Sequence, residues 1–436
     1  MNNTRLFKKS LLAVTITAAT FASSQAVAAG FQLNAQSATG IGRAFAGDAV
    51  IADNASVMAR NPAAMALFDK TSLSLGFETI ITDIRVKDAT YTSQAFDAGS
   101  MSVGPTQTSS NYDDAGGTSV APNIHLIVPV NDKFAWGVNA YSNFGTSTDF
   151  GDDFVASEYG GETDIMSMNL GLAGSYRLND QWSFGAGIDF IYGKGTLKRT
   201  FSDSVYSGPV LDPSIDGGAT AALNALNGAS IVDIDGADGW GVGFNIGTVY
   251  ELDENNRFGL SYRYSPEITA KDDKGQEITL PLPDMAEFSG YHRIDETKFA
   301  VHYSLQWVGW KAFDQIDFGG TLDGTPASEY KWKNAGHVSI GGTYYLNNDW
   351  TLRTGYMYDI AAQDDLKSVS VPDSDRQWFS AGFTYHIDTA SNVDFGFTYL
   401  VGEDVKNVEE SLAVTSISAT TRADAILVGL QYSRSF

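Results

Sequence analysis

Apolar and polar residues alternate along most of this chain. Over 166–178, Met166, Met168, Leu170, Leu172, Tyr176 and Leu178 fall on one side of a period of two, with Ser167, Asn169, Gly171, Ala173, Ser175 and Arg177 on the other. Trp182, Phe184, Ala186, Ile188, Phe190 and Tyr192 repeat the pattern against Ser183, Gly185, Gly187, Asp189, Ile191 and Gly193. The last residues do the same: Ile426, Val428, Leu430, Tyr432 and Phe436 oppose Leu427, Gly429, Gln431, Ser433 and Ser435. A period of two predicts strands. One greasy face and one small or polar face is what a strand between lipid and a polar lumen needs. A soluble sandwich would turn its polar face outward and place fewer aromatics at strand ends. Unpaired backbone in lipid is costly, so such strands must close on themselves.

Two kinds of connection separate the alternating runs. Asn131-Asp132, Asn179-Asp180, 253–256, Asp295-Glu296, 347–349 and 388–392 are six tight turns rich in Asn and Asp, residues that tolerate positive φ and bond locally. Seven longer stretches lie between them: 83–118, 146–163, 199–238, 266–285, 318–331, 361–375 and 403–421. Thirteen connections make fourteen strands, an even number as single-chain outer-membrane barrels require. The expected fold is all-β, a 14-stranded antiparallel transmembrane β-barrel over 71–436, with short turns periplasmic and long loops outside.

The N-terminus sets the compartment. Arg5, Lys8 and Lys9 precede a mostly apolar run from Leu11 to Ala22 and a small-residue site at Ala26-Val27-Ala28. That order predicts a secretory signal peptide over 1–28. Residues 29–70 do not alternate. They carry Gly30, Gly40, Gly42 and Gly47, and the Ala-rich pieces 48–59 and 61–67 read as short helices, with Asn61 capping and Pro62 in the first position. Few charges and many small residues favour a hatch packed inside the lumen over a periplasmic tail.

Composition agrees with export to the outer membrane. Aromatics make up 12% of the chain although mean hydropathy is only -0.13, which suits aromatic girdles around a barrel. There are no cysteines, so neither disulfides nor thiolate metal sites arise, and no cofactor is expected. Of 28 Lys and Arg, three lie in the signal, and 52 Asp and Glu leave a mature net charge of -27. So acidic a chain is no partner for nucleic acid. Outer-membrane lipid and lipopolysaccharide are the expected surroundings of a single, monomeric chain. The five histidines, His125, His292, His302, His337 and His386, are joined by no serine motif, so a hydrolytic enzyme is not expected.

A family likeness then appears in the residues. Ala29-Gly-Phe-Gln-Leu-Asn34, Gly40-Ile-Gly-Arg-Ala-Phe-Ala-Gly47, Ile51-Ala-Asp-Asn54 and Arg60-Asn-Pro-Ala63 closely resemble the hatch of the FadL-type long-chain fatty acid transporters. The likeness runs on through Ser142-Asn-Phe-Gly145, Tyr176-Arg-Leu-Asn179 and Val371-Pro-Asp-Ser-Asp-Arg376, and is weakest in loops 83–118 and 199–238. It implies passive uptake of long-chain fatty acids or similar amphiphiles. Capture by the outer loops would be followed by an internal pocket and lateral release through a kink in the third strand. By motif, Phe31 falls in the gating N-terminus, Asn61, Pro62 and Ala63 in the hatch motif, and Gly145 at the kink. Arg199 and Lys333 match the basic positions that meet the fatty acid carboxylate. Some family members take aromatic hydrocarbons, the alternative cargo.

Strand parity bears on these assignments independently. Counting from Trp182 as outward, Arg199 points inward if its strand persists; counting from Val338, Ile340 and Tyr344, so do Lys333 and His337. Such inward cations bind either a ligand anion or a lumen carboxylate such as Asp189. Gly145 is either a kink or the end of its strand. Ala219–Leu226, Leu280 and Leu282 give the outer loops apolar side chains that form a capture surface or pack the loops together.

Overall fold

A computed structural model describes residues 30–34, 36–313, 315–319, 328–363 and 366–436; the expected signal peptide lies outside them. Fourteen antiparallel strands form one closed wall. They are β1 (Ser72–Asp97), β2 (Thr118–Pro129), β3 (Phe134–Tyr141, resuming at Gly145–Asp149), β4 (Glu162–Arg177), β5 (Trp182–Thr200), β6 (Ser230–Glu251) and β7 (Asn256–Tyr264). The second half is β8 (Met285–Arg293), β9 (Phe299–Val308), β10 (Ala335–Tyr345), β11 (Trp350–Ile360), β12 (Arg376–His386), β13 (Ser391–Gly402) and β14 (Thr415–Ser435). Each pairs with the next in sequence, and β14 returns to β1 from Ser72↔Ser435 to Thr92↔Ser416. The terminal alternation therefore closes the barrel, with Leu427, Gly429, Gln431 and Ser433 buried and Leu430 exposed on the outer face.

The outer face is a lipid belt. Phe184, Ile188, Phe190, Val242, Phe244, Leu260, Leu305, Val338, Ile340 and Phe379 are all exposed large apolar side chains, a distribution tolerable only where the solvent is hydrocarbon. Next to the short turns, aromatics meet across strands. Phe134 faces Tyr176 at 4.8 Å, Trp182 faces Tyr250 at 4.7 Å, Phe299 faces Tyr344 at 4.6 Å and Trp350 faces Tyr385 at 4.9 Å. These pairs form one interfacial girdle. Arg434, the outward residue before the end, lies over the Phe436 ring at 5.4 Å.

All six short turns occur where the Asn and Asp clusters predict them. The outer connections are less irregular than their composition suggests. β1 continues to Asp97 and pairs with an arm at Ser102–Ser109, while Val405–Ser411 pairs with the start of β14 and β6 begins at Ser230. Cross-strand bonds satisfy the backbone there, so the ladder outruns the apolar pattern by which strand ends were read. Ala219–Leu226 is a helix as expected.

The described residues ahead of β1 are largely buried against the inner faces of the strands as an N-terminal hatch. The stretch 48–59, expected as a helix, is helical only over Val57–Arg60, and an unforeseen turn of helix occupies Ala38–Ile41, capped by the Ser37 hydroxyl. Asn61 does cap Pro62–Leu67, a 3₁₀ rather than an α-helix, by accepting from Ala63 N–H at 3.0 Å. Wall glycines let the hatch backbone touch the strands. A Cβ at Gly185 would overlap Ala63, at Gly247 the Asn61 side chain, at Gly355 the Arg43 backbone and at Gly396 the Ala38 carbonyl. These luminal glycines thus record the shape of the plug rather than any bend of the strands.

Candidate functional site

Among the described residues the wall is interrupted between β2 and β3, and the N-terminal segment sits in that break. The ladder between β2 and β3 stops at Ile124↔Ala140, although β2 stays paired with β1 as far as Ile81↔Thr118. β3 itself breaks over 142–144 and resumes at Gly145 against β4. Backbone groups freed by such a break must find partners. Leu33 N–H donates to Asn143 O at 2.6 Å, Gly145 N–H donates to Phe31 O at 2.8 Å, and Gln32 bridges Phe144. Gly145 therefore marks the resumption of a broken strand, and Phe31–Leu33 acts as a patch.

Phe31 itself is plugged into an aromatic cage. Its ring is 1% exposed and packs at 4.7 Å on Trp310, 5.0 Å on Phe313, 5.8 Å on Trp332 and 6.1 Å on Phe144. Around this cage lies a continuous apolar body that includes Ile165, Ile191, Leu197, Val232, Ile268, Leu280, Leu282 and Met285. Leu280 and Leu282 thus pack loops together, whereas Val210 and Ile215 remain exposed beside the loop helix. Trp310, Phe313, Tyr330 and Trp332 escaped the sequence reading because they stand at strand ends and in a loop, where no period marks them; the clustering of rings in Trp310-Lys-Ala-Phe313 and Tyr330-Lys-Trp332 was the available signal.

β5 does persist to Thr200, and Arg199 is buried at the edge of that apolar body, next to Leu197 and across from Val232. Its guanidinium donates to Glu162 O and Lys198 O, both at 2.7 Å, and to Thr163 Oγ1 at 2.6 Å. These acceptors are neutral, so the cation is held in place without being neutralised. Asp189, the carboxylate that could have taken it, instead pairs with Arg263 and accepts from Asn169 and Asn245. Burial raises the phenol of Tyr330 above its ordinary range, with Arg199 opposing. Burial also pushes the half-buried Glu409 carboxyl up to about 7, against the Val369 N–H and the charge of Arg199.

Lys333 departs from the expected parity. It is exposed, while Trp332 and Ala335 are buried. The reason is local: β10 starts only at Ala335, and before it the chain leaves the ladder, with Lys333 N–H donating to Ala362 O at 2.9 Å. Counting back from Val338 was therefore invalid past the strand end, although His337 is buried as expected. One cation lies inside the fold and the other outside it.

Below the cage the hatch is polar. Arg43 pairs with Asp48 at 2.6 Å and Asp53 at 2.8 Å, Arg353 of β11 reaches Asp53 at 3.2 Å, and Arg60 reaches Glu287 of β8 at 3.4 Å. Asn61 donates to Ala49 O and Thr248 O, tying two hatch turns to β6. The far end of the segment is also anchored. Asp373 accepts from Gly30 N–H at 3.2 Å and from Arg376 at 2.8 Å, and its other oxygen accepts from Ala362 N–H at 2.6 Å.

The chain matches a known family over nearly its whole length. The profile described as "Outer membrane protein transport protein (OMPP1/FadL/TodX)" matches residues 19–436. This chain belongs to the FadL/TodX family. It is 36% identical over 470 residues to a protein of Escherichia coli (strain CFT073) named "Long-chain fatty acid transport protein", covering 100% of both chains. In three dimensions it resembles a Pseudomonas aeruginosa FadL homologue with a TM-score of 0.77 at 19% identity, covering 94% of this chain and 100% of that one. It also resembles the toluene transporter TodX of P. putida, with a TM-score of 0.63 at 18% identity over 88% and 94%. The protein is an outer-membrane β-barrel of a transport family.

Proposed function

We propose that this protein carries long-chain fatty acids or similar amphiphiles passively across the outer membrane. The observation that carries this reading is a buried guanidinium whose hydrogen bonds, among the described residues, go to neutral oxygens at the edge of a continuous apolar body. An amphiphilic anion satisfies both parts: the tail gains from leaving water and the carboxylate completes the cation. The relative named a long-chain fatty acid transport protein supports the same cargo. Capture would begin on the exposed Val210 and Ile215 and the half-exposed Leu223 and Leu226, with the exposed Lys333 drawing the head group inward. Withdrawal of Phe31 would vacate the cage and, through the same backbone, uncover the break beside Gly145, a sideways exit into the bilayer. In this scheme residues 1–28 are a cleaved signal, 29–70 are the hatch carrying Asn61, Pro62 and Ala63, and a single chain in lipid and lipopolysaccharide suffices.

The cage of rings around Phe31 favours a second cargo, small aromatic hydrocarbons, which stack on such surfaces. A neutral hydrocarbon would gain nothing from Arg199. The deciding experiment expresses the chain in a Gram-negative host lacking its own fatty acid transporter and compares oleate with toluene uptake. Oleate uptake that appears with the wild-type chain supports the reading, and its absence refutes it. In purified protein, Arg199→Ala combined with Lys333→Ala should weaken binding of oleate more than of methyl oleate. Equal losses would remove the carboxylate clamp.

A further inference from the structure

The short-turn rim of the barrel holds two arginines that form no ion pair among the described residues, far from Arg199 in the strands. Arg257 is the second residue of β7, after the 253–256 turn, and Arg293 is the last residue of β8, before the Asp295-Glu296 turn. Both share the inward side of their strands. Arg257 alternates with the buried Gly259, Ser261 and Arg263, and Arg293 with the buried Glu287, Ser289 and Tyr291. The carboxylate registered across the ladder from Arg257 is Glu251 of β6, and it is already taken by Arg177 at 2.9 Å. Of the turn acids, Asp253 accepts from Asn255 and Asn256, Asp295 accepts from Asn255, and Glu254 and Glu296 are exposed.

Rings hold these two guanidiniums where carboxylates do not. Arg257 Cζ lies 5.1 Å from the centroid of the Tyr291 ring, and Arg293 Cζ lies 4.9 Å from that of Tyr345. The two phenols bond each other at 2.7 Å and pack with Val50 and Ile51 of the hatch. Stacking covers the faces of a guanidinium and leaves its N–H edge for an oxyanion. That edge is unused here: Arg257 is half-buried with its Nε unpaired, and Arg293 is exposed. One phenol proton serves the mutual bond, and the other finds no acceptor among the described residues. The row of the ladder fixes the depth. Arg293 is registered with Ala300, and Ala300 with Thr343, one position from the girdle pair Phe299 and Tyr344. Interfacial aromatics lie at headgroup level, and the short turns of such barrels are periplasmic.

We propose that Arg257 and Arg293 form a phosphate-binding clamp at the periplasmic rim, for a phosphate group carried on a lipid headgroup or free in solution. Its oxygens accept from both guanidiniums and from the spare phenol O–H. Two planar forks fixed on rings match the several oxygens of a phosphate and supply the charge that it needs. Because Tyr291 and Tyr345 also pack with Ile51, an occupant fastens the wall to the hatch through those rings. The inference is independent of the cargo.

The test titrates inorganic phosphate into the detergent-purified full chain by calorimetry at low ionic strength. In parallel, native mass spectrometry records retention of dioctanoyl phosphatidylglycerol. Arg257→Gln and Arg293→Gln should each weaken binding about tenfold or more, the size of one charge-assisted hydrogen bond. Heat-modifiable gel migration checks that each variant is folded. Lys298→Gln removes a neighbouring exposed cation that donates only to the Leu346 carbonyl, and it should leave binding within about twofold. Arginine-dependent binding of inorganic phosphate supports a soluble source, and arginine-dependent retention of the lipid alone supports a headgroup. Binding of neither probe overturns the clamp, as does binding that both folded arginine variants retain. A loss in Lys298→Gln equal to theirs also overturns it, since diffuse charge would then suffice.

Discussion

Removing the ring of Phe31 tests whether the N-terminal segment is a gate or merely a buried terminus. Phe31→Ala deletes a side chain that is 1% exposed and touches four other aromatic rings. In a packed core that change costs about 3–5 kcal/mol. Here the loss falls on the docked position of the segment, because the barrel ladder does not pass through it. What remains includes three backbone donations, Leu33 to Asn143 at 2.6 Å, Gly145 to Phe31 at 2.8 Å and Gly30 to Asp373 at 3.2 Å, and the Gln32 carboxamide donating to Gln306 Oε1 at 2.8 Å. At about 0.5–1.5 kcal/mol each, these four hold with about 2–6 kcal/mol in all. Ring and hydrogen bonds thus contribute comparably, and losing about 3 kcal/mol should raise the undocked fraction by about two orders of magnitude. Hydrogen exchange followed by mass spectrometry on the peptide containing Gly145 reads this directly, since that amide donates to the Phe31 carbonyl. Faster exchange by about 100-fold at Gly145, with the β1–β14 seam unchanged, is the expected result. Amphiphile affinity should rise together with it, because the ligand no longer has to displace the ring. Exchange at Gly145 within about threefold of wild type would refute the argument, for the hydrogen bonds alone would then be holding the patch.

Two further outcomes follow from the same geometry. Glu409 is neutral below its raised value of about 7 and ionised above it, where it competes for the charge of Arg199. Binding of hexadecanesulfonate, which stays ionised throughout, should therefore weaken by up to about tenfold as pH rises from 6 to 8. Glu409→Gln should abolish that dependence, and a slope that persists in the variant would refute the coupling. For the fold the sign runs the same way: a carboxyl raised above its unfolded value stabilises when protonated, so the loop packing loses stability as pH climbs from the ordinary carboxylate range through about 7. Gly247→Ala would thrust a Cβ into the Asn61 side chain, which caps Ala63 and ties Ala49 to Thr248. Losing that cap costs about 1 kcal/mol and should raise ion conductance in planar bilayers by loosening the hatch; conductance equal to wild type would show that the wall can yield instead.

The sequence by itself determined the barrel. A period of two with a greasy face, six Asn- and Asp-rich turns and a closing strand at the C-terminus are local properties. Lipid on one side and backbone pairing on the other leave a single architecture for them. Parity also placed Arg199 inside, because β5 runs unbroken to Thr200. The same arithmetic failed for Lys333, since a period holds only while the ladder does and β10 begins at Ala335. The hatch was legible as an exception to alternation, but its turns were not, because short turns held by wall contacts carry no helical period. Only the tertiary structure brought Phe31 from one end of the chain to Trp310, Phe313 and Trp332, and set Gln32 against Gln306 and Arg60 beside Asn143. Those meetings depend on how the plug is threaded through the lumen. That is fixed by contacts between residues hundreds of positions apart, to which no local pattern is sensitive.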